Sequence, residues 1–144
     1  VFETEDAVMN GADEIDMVIN IGKLKEKDYN YVGEEITKLA EICHENKAIL
    51  KVIIETCLLQ DEEIETMCHI CEKANADYIK TSTGFSKEGA NFHVVKIMID
   101  TINKNNYKLK VKAAGGISNV EDAVKYIKLG VNRLGTSKLI KLLK

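Results

Sequence analysis

The 144-residue sequence contains no proline, no long apolar run and no low-complexity tract. Without a proline- or glycine-rich stretch or a shift in composition, nothing marks a linker between domains. Apolar runs such as Val52–Ile54 are far too short for a transmembrane helix, which takes about 20 residues. No apolar secretory segment stands near the first residue, so we expect a cytoplasmic protein without membrane attachment.

Charge and cysteine content exclude further classes of function. A net charge of −3, with 45% hydrophobic and 30% charged residues, is typical of a globular protein and argues against nucleic-acid or anionic-membrane binding. Among the four cysteines only Cys68 and Cys71 have CxxC spacing, and no second pair completes a zinc site. Because this pair lies in a segment of helical periodicity, we interpret it as part of the core.

Strand-like and helical segments alternate along the chain. Apolar strand-like runs occur at Glu14–Asn20, Ile49–Glu55, Asp77–Ser82, Lys108–Ala114 and Val131–Gly135. Helical periodicity occurs at Tyr29–Asn46, Asp61–Asn75, Asn91–Asn105 and Val120–Leu129. Buried strands that are each followed by a helix predict an α/β fold with a parallel sheet covered by helices. We therefore expect one domain over residues 1–144, in which five strands form only part of a barrel of eight units.

Lys80 is the most informative residue. It lies within the apolar strand Asp77–Ser82 and is followed at once by a polar turn that ends in Gly84. Burying an ammonium group costs several kcal/mol, and a lowered pKa relieves that cost. A neutral amine is what carbonyl chemistry through a Schiff base requires. A second strand carries Lys112, a neighbouring cation that could lower the pKa of Lys80, so the pair indicates a lysine-dependent lyase.

The alternation of side chains along each strand predicts a shared polar face. If the aliphatic positions pack under the helices, the following charged residues point into one interior: Asp16, Lys51, Glu55, Lys80 and Lys112. Asp16 is then placed to hold a water molecule or a lysine and to transfer protons. The alternative is that these lysines are salt-bridged or snorkelling strand residues without a catalytic role.

Glycine turns follow the last two strands. Gly115 and Gly116 come directly after Lys108–Ala114, and Gly135 ends the final strand just before Ser137. Free backbone N–H groups at such turns, with a helix start behind them, bind phosphate well. In parallel barrels the phosphate site commonly lies after the seventh and eighth strands. The two turns together predict a phosphate-binding site.

Five ordered segments resemble the deoxyribose-phosphate aldolase family of class I aldolases, which have a (β/α)8 TIM-barrel fold. The most specific segment is Tyr78–Phe85, which is similar to the family segment that carries the Schiff-base lysine. The other four are Gly11–Val18, Leu50–Thr56, Val111–Ile117 and Arg133–Ser137. The resemblance covers essentially the whole chain and implies the C-terminal portion of the barrel, roughly its last five βα units, without the N-terminal strands.

The resemblance implies reversible cleavage of 2-deoxy-D-ribose 5-phosphate to acetaldehyde and D-glyceraldehyde 3-phosphate, in deoxyribonucleotide catabolism, without a cofactor or metal. Lys80 would form the imine, Lys112 would lower the pKa of Lys80, and Asp16 would move protons with Lys112 through a water molecule. The expected phosphate and substrate contacts are Gly115, Gly116, Gly135 and Ser137 for the phosphate, and Thr83 and Lys51 for the pocket. The expected partner is a small phosphosugar, and the resemblance leaves a homo-oligomer open.

Two alternatives remain at this point. One is another Schiff-base aldolase of the same fold. The other is an inactive barrel remnant that acts only as an interaction module through its open edge, since unpaired strands of a parallel sheet readily associate.

Overall fold

The computed structural model describes residues 2–85 and 88–136. Strands and helices alternate as the sequence predicts. The strands are β1 (Glu14–Val18), β2 (Ile49–Ile53), β3 (Tyr78–Lys80), β4 (Lys110–Ala114) and β5 (Arg133–Gly135). The helices are α1 (Phe2–Met9), α2 (Ile21–Lys25), α3 (Tyr29–Glu45), α4 (Asp61–Lys73), α5 (Phe92–Lys104) and α6 (Val120–Leu129), with a 3-10 turn at Thr56–Leu58.

The five strands form one parallel sheet in chain order, β1 to β5. This confirms the predicted α/β architecture. The register aligns Asp16 with Lys51 and, further along the strands, Lys80 with Lys112. Because side chains alternate along a strand, these residues lie on one face of the sheet.

The strand ends differ from the prediction, for local reasons. The first strand ends at Val18 because Asn20 caps α2, where its side chain accepts a hydrogen bond from the N–H of Lys23 at 3.0 Å. The third strand ends at Lys80 because the side chain of Thr81 continues the pairing. Its Oγ1 donates to the carbonyl of Ala114 at 2.9 Å and accepts from the N–H of Ala114 at 3.0 Å.

The core lies between the outer face of the sheet and the helices. Its fully buried side chains come from alternate strand positions and from the inner faces of α3, α4 and α5: Leu50, Val52, Ile54, Ile79, Val111, Ile36, Ile64, Met67, Val95 and Met98. Cys68 and Cys71 are buried in the same core, where burial raises the pKa of the Cys68 thiol to about 12. Their place in the core confirms the interpretation of the CxxC pair as packing residues. Over the described residues, no helix combines the length and hydropathy needed to cross a bilayer.

Candidate active site

The inner face of the sheet collects charged side chains from all five strands. The predicted residues Asp16, Lys51, Lys80 and Lys112 come from β1 to β4 and lie together. Two residues that the sequence analysis did not single out, Glu14 and Arg133, extend the group to both ends of the sheet. Lys51 and Lys80 are only 6% and 9% exposed, so their charges need partners.

Asp16 is the shared partner of two lysines. Its Oδ2 accepts a hydrogen bond from Lys80 Nζ at 2.7 Å, and its Oδ1 lies 2.9 Å from Lys51 Nζ. Burial alone would raise the pKa of the Asp16 carboxyl, but the hydrogen bonds from Lys80 and Lys51 outweigh it and hold that pKa below its usual value. Asp16 is therefore an ionised carboxylate in direct contact with the amine of Lys80.

Lys51 joins Asp16 to a second carboxylate. Its Nζ also donates to Glu14 Oε2 at 3.0 Å. Burial lowers the pKa of Lys51, but the hydrogen bonds to Asp16 and Glu14 prevail, and the net result is a raised pKa. Lys51 is thus a firmly charged bridge whose contacts are with protein carboxylates.

Lys112 lies in register with Lys80 on the neighbouring strand and has no ion pair with any described residue. Burial lowers its pKa, and the positive charges of Lys51 and Lys80 lower it further. The sequence predicts that Lys112 lowers the pKa of Lys80, and that role stays a prediction.

Gly135, at the end of β5, leaves space for the Lys112 side chain. A Cβ at Gly135 would lie 2.9 Å from Ala114 Cβ and 3.3 Å from Lys112 Cε. Gly135 was predicted as a phosphate-binding residue, and the structure shows this further reason for a glycine there. The predicted phosphate residue Ser137 lies outside the described residues.

The turn after β4 has two consecutive glycines in the left-handed region. Gly115 has φ +86° and Gly116 has φ +75°, a conformation that other residues rarely adopt. The loop after β3 lies against this turn, and the N–H of Ala90 donates to the carbonyls of Ala114 and Gly115 at 3.0 Å each. Helix α6 begins directly behind the turn, where Asn119 accepts from the N–H of Asp122 at 2.8 Å.

Glu55 anchors the start of the loop after β3. It has a left-handed backbone with φ +53° and is 6% exposed. Its Oε1 accepts from the N–H of Thr83 at 3.1 Å, and its Oε2 accepts from the Thr83 hydroxyl at 2.9 Å. Sequence parity placed Glu55 on the polar face, but it could not show this contact because the loop conformation determines it.

Other features of the described residues lie apart from this cluster. Two surface grooves, of about 490 and 450 Å³, are lined by residues of α2, α3 and α4 and of the turns next to them, with none of the inner-face lysines. His, Cys, Asp and Glu side chains of the described residues do not group in threes that could hold a metal ion. The inner-face group of Asp16, Lys51, Lys80 and Lys112 is the candidate active site because it brings buried amines into contact with a shared carboxylate.

Comparisons with known proteins show the family of the chain. Residues 1–136 match the family described as DeoC/LacD family aldolase. The chain is 51% identical over all 144 residues to deoxyribose-phosphate aldolases of Streptococcus agalactiae and Streptococcus pyogenes, and it spans 62% of their length. This coverage fits the prediction that the chain is a portion of the family's barrel.

Solved structures give the same result. A structure from Coccidioides immitis, assigned to the deoxyribose-phosphate aldolases, has a TM-score of 0.91 at 41% identity and covers 97% of this chain and 55% of its own. The tetrameric deoxyribose phosphate aldolase of Aeropyrum pernix has a TM-score of 0.86 at 28% identity and covers 99% of this chain and 58% of its own. The five βα units are therefore part of a (β/α)8 barrel, and the chain belongs to the DeoC/LacD family of aldolases.

Proposed function

We propose that the protein to which this chain belongs is a class I aldolase that reversibly cleaves 2-deoxy-D-ribose 5-phosphate to acetaldehyde and D-glyceraldehyde 3-phosphate. The observation that carries the proposal is the buried amine of Lys80, which contacts the Asp16 carboxylate at 2.7 Å and lies in register with Lys112. The contact and the register support Lys80 as the nucleophile, Asp16 as a proton-transfer group and Lys112 as a second amine. Such a grouping serves Schiff-base catalysis.

In the proposed reaction, Lys80 Nζ attacks the aldehyde carbon of the open-chain sugar. The carbinolamine loses water to form a protonated imine. The bond between carbons 2 and 3 then breaks, and its electron pair moves toward the imine nitrogen to give an enamine. The hydroxyl on carbon 3 loses its proton to a base and becomes the aldehyde of glyceraldehyde 3-phosphate. Protonation of the enamine at carbon 2 and hydrolysis of the imine release acetaldehyde and restore Lys80.

Asp16 and Lys112 are the proposed proton-transfer groups. Asp16 is ionised and close enough to Lys80 to accept and return protons directly or through one water molecule. Because the pKa of Lys112 is lowered, a larger fraction of this amine is neutral near pH 7 than for an ordinary lysine. The neutral amine can accept a proton. These properties support the proton relay that the family resemblance implies.

The proposed phosphate site consists of backbone N–H groups around the ends of β4 and β5. Gly115 and Gly116 supply the turn, and the start of α6 adds a favourable dipole for an anion. Gly135 and Ser137 complete the proposed set. Lys51 and Thr83 remain proposed pocket residues, and their contacts with carboxylates support roles in holding Asp16 and the loop after β3.

For the whole protein we propose a small phosphosugar as the partner, with neither nucleic acid nor membrane. We also propose a cytoplasmic location and a homo-oligomer. The net charge of −3 supports the proposal that the protein binds neither nucleic acid nor membrane. The tetrameric Aeropyrum pernix relative supports the proposal of a homo-oligomer.

Borohydride reduction in the presence of 2-deoxyribose 5-phosphate or acetaldehyde tests the proposal directly. We expect peptide mass mapping to find a stable adduct on Lys80 in the protein that contains this chain. The adduct is lost in Lys80→Arg and kept in Lys128→Arg, which alters an exposed lysine of α6. No adduct on the wild-type protein would contradict the aldolase assignment, and an adduct with a different aldehyde alone would favour another Schiff-base aldolase.

A further inference from the structure

An ion pair joins the two end strands of the sheet. Glu14 begins β1, Arg133 begins β5, and the Arg133 Nη1 atom donates to Glu14 Oε1. The two residues are 119 positions apart in the sequence. The guanidinium carbon of Arg133 also lies 4.7 Å from the ring centre of the buried Tyr78. Arg133 is therefore fixed by one anion and one aromatic face.

This pair is connected to the reactive amine without a break. The second oxygen of Glu14 accepts from Lys51, Lys51 contacts Asp16, and Asp16 accepts from Lys80. Glu14 therefore stands two contacts away from the carboxylate that touches Lys80. A substitution at Glu14 or Arg133 therefore affects Lys80 in two ways, through these contacts and through the charge that the substitution removes.

The inner face carries an excess of positive charge. The contacts join three cations, Lys51, Lys80 and Arg133, to two carboxylates, Glu14 and Asp16, and Lys112 adds a fourth positive charge beside them. Over residues 2–85 and 88–136, this face also carries Tyr78, Glu55 and Lys110. Glu55 accepts from Thr83, and Lys110 Nζ lies 5.8 Å from the centre of the Tyr78 ring. Among the described residues, Lys112 and the five residues joined by these contacts therefore carry an excess of two positive charges.

We propose that Glu14 and Arg133 are positioning residues of the aldolase: Arg133 holds Glu14, Glu14 holds Lys51 against Asp16, and together they set the charge around Lys80 and Lys112. This inference rests on the proposed function and deepens it. Neither residue touches the reacting atoms. Their effect passes through Lys51, Asp16 and the electrostatic potential at the two amines.

Opposite changes of charge then have opposite effects. Glu14→Gln keeps the shape and an acceptor for Lys51, but it removes a negative charge, so the amines lose their protons more easily. Arg133→Met removes a positive charge and makes the amines hold their protons more strongly. The double variant has the wild-type excess of charge, because one charge of each sign is gone.

The test measures kcat/KM against pH, and in parallel the 13C NMR titration of Lys112 Cε, in the full-length protein. In Glu14→Gln we expect the acid limb of the kcat/KM profile and the Lys112 titration to shift to lower pH by about half a unit. In Arg133→Met we expect both to shift to higher pH by a similar amount. The double variant returns toward the wild type. Asp100→Asn, which breaks the exposed pair with Lys96 on α5, is the matched control and moves neither curve.

Several outcomes overturn the inference. Single variants that shift both curves in the same direction, or lower kcat without shifting either curve, would show a merely structural pair. If Arg133→Met does not fold, Arg133→Lys keeps the charge and should follow the wild-type curves, whereas a shift would contradict the proposal. If the wild-type protein does not cleave the sugar, the proposed function fails, but the NMR titrations still decide whether the pair sets the charge at Lys112.

Discussion

Gly135 shows how one missing side chain shapes the candidate site. A Cβ there would press on Ala114 and on the Lys112 side chain, so Gly135→Ala must displace one of them. We expect a loss of about 1–3 kcal/mol in the free energy of unfolding. We also expect a lower kcat, because Lys112 moves relative to Lys80. Urea unfolding and steady-state kinetics on the full-length protein measure both effects.

Gly33→Ala is the matched control for this substitution. Gly33 lies within α3, and its Cβ would meet Ile70 Cγ2 at 3.7 Å, an ordinary contact. Since alanine favours a helix over glycine by about 1 kcal/mol, stability should rise and kcat should not change. A Gly135→Ala protein with wild-type kcat would show that Lys112 does not need this space.

Among the structural elements, the loop after β3 depends on a single buried carboxylate. Thr83→Val removes the hydroxyl that donates to Glu55 and leaves that carboxylate only the N–H of Thr83 as a partner among the described residues. We expect a loss of about 1–3 kcal/mol in stability, because a buried charged acceptor loses a partner. Amide hydrogen exchange should become faster from Thr83 to Phe85.

Thr66→Val provides the comparison for the loop variant. The Thr66 hydroxyl donates to a carbonyl within α4 and is exposed, so solvent replaces the lost bond. Stability should change by less than about 0.5 kcal/mol. Equal losses of stability in the two variants would mean that the hydrogen bond to Glu55 stabilises the fold no more than an exposed one does.

Strand parity is what made the inner face predictable from sequence. Asp16, Lys51, Lys80 and Lys112 could be placed together because side chains alternate in a parallel sheet of known order. Glu14 obeys the same parity, but its role depends on Arg133, which reaches it from the far end of the sheet. Such a contact depends on the curvature of the whole sheet, and no local pattern encodes it. Helix α2 was also missed, because its five residues are too few to show a helical period.

At the scale of the whole molecule, the inner-face ion pairs make stability depend on pH. Hydrogen bonds from Lys80 and Lys51 hold the pKa of Asp16 below its usual value despite burial, and hydrogen bonds from Arg133 and Lys51 do the same for Glu14. Unfolding returns the pKa of each carboxyl to about 4. The unfolded chain therefore binds more protons in acid than the folded chain does. This part of the stability is present at neutral pH and is lost as pH falls through and below about 4.

Urea unfolding midpoints between pH 7 and pH 3 measure this dependence. Asp16→Asn should be less stable at neutral pH and should lose less stability on acidification than the wild type. An identical pH dependence in the variant would show that Asp16 contributes nothing to the linkage.

The edges of the sheet predict how the 144 residues behave when expressed alone. Within the described part of the chain, β1 and β5 each pair on one side only. Unpaired strand edges promote association, and association through these edges would distort the inner face. We expect size-exclusion chromatography with light scattering to show self-association or aggregation, and borohydride trapping to be weak. A monomer that traps substrate as well as the full-length protein would contradict this expectation.

The contact between Glu14 and Arg133 also bears on the order of events during synthesis. Neighbouring strands are joined through single βα units, but these two residues are separated by 119 positions, and contacts of large sequence separation form late in folding. The fifth strand is the last of these elements to leave the ribosome. On the proposed function, the contacts around Lys80 are therefore complete only after the final strand has docked, late in synthesis.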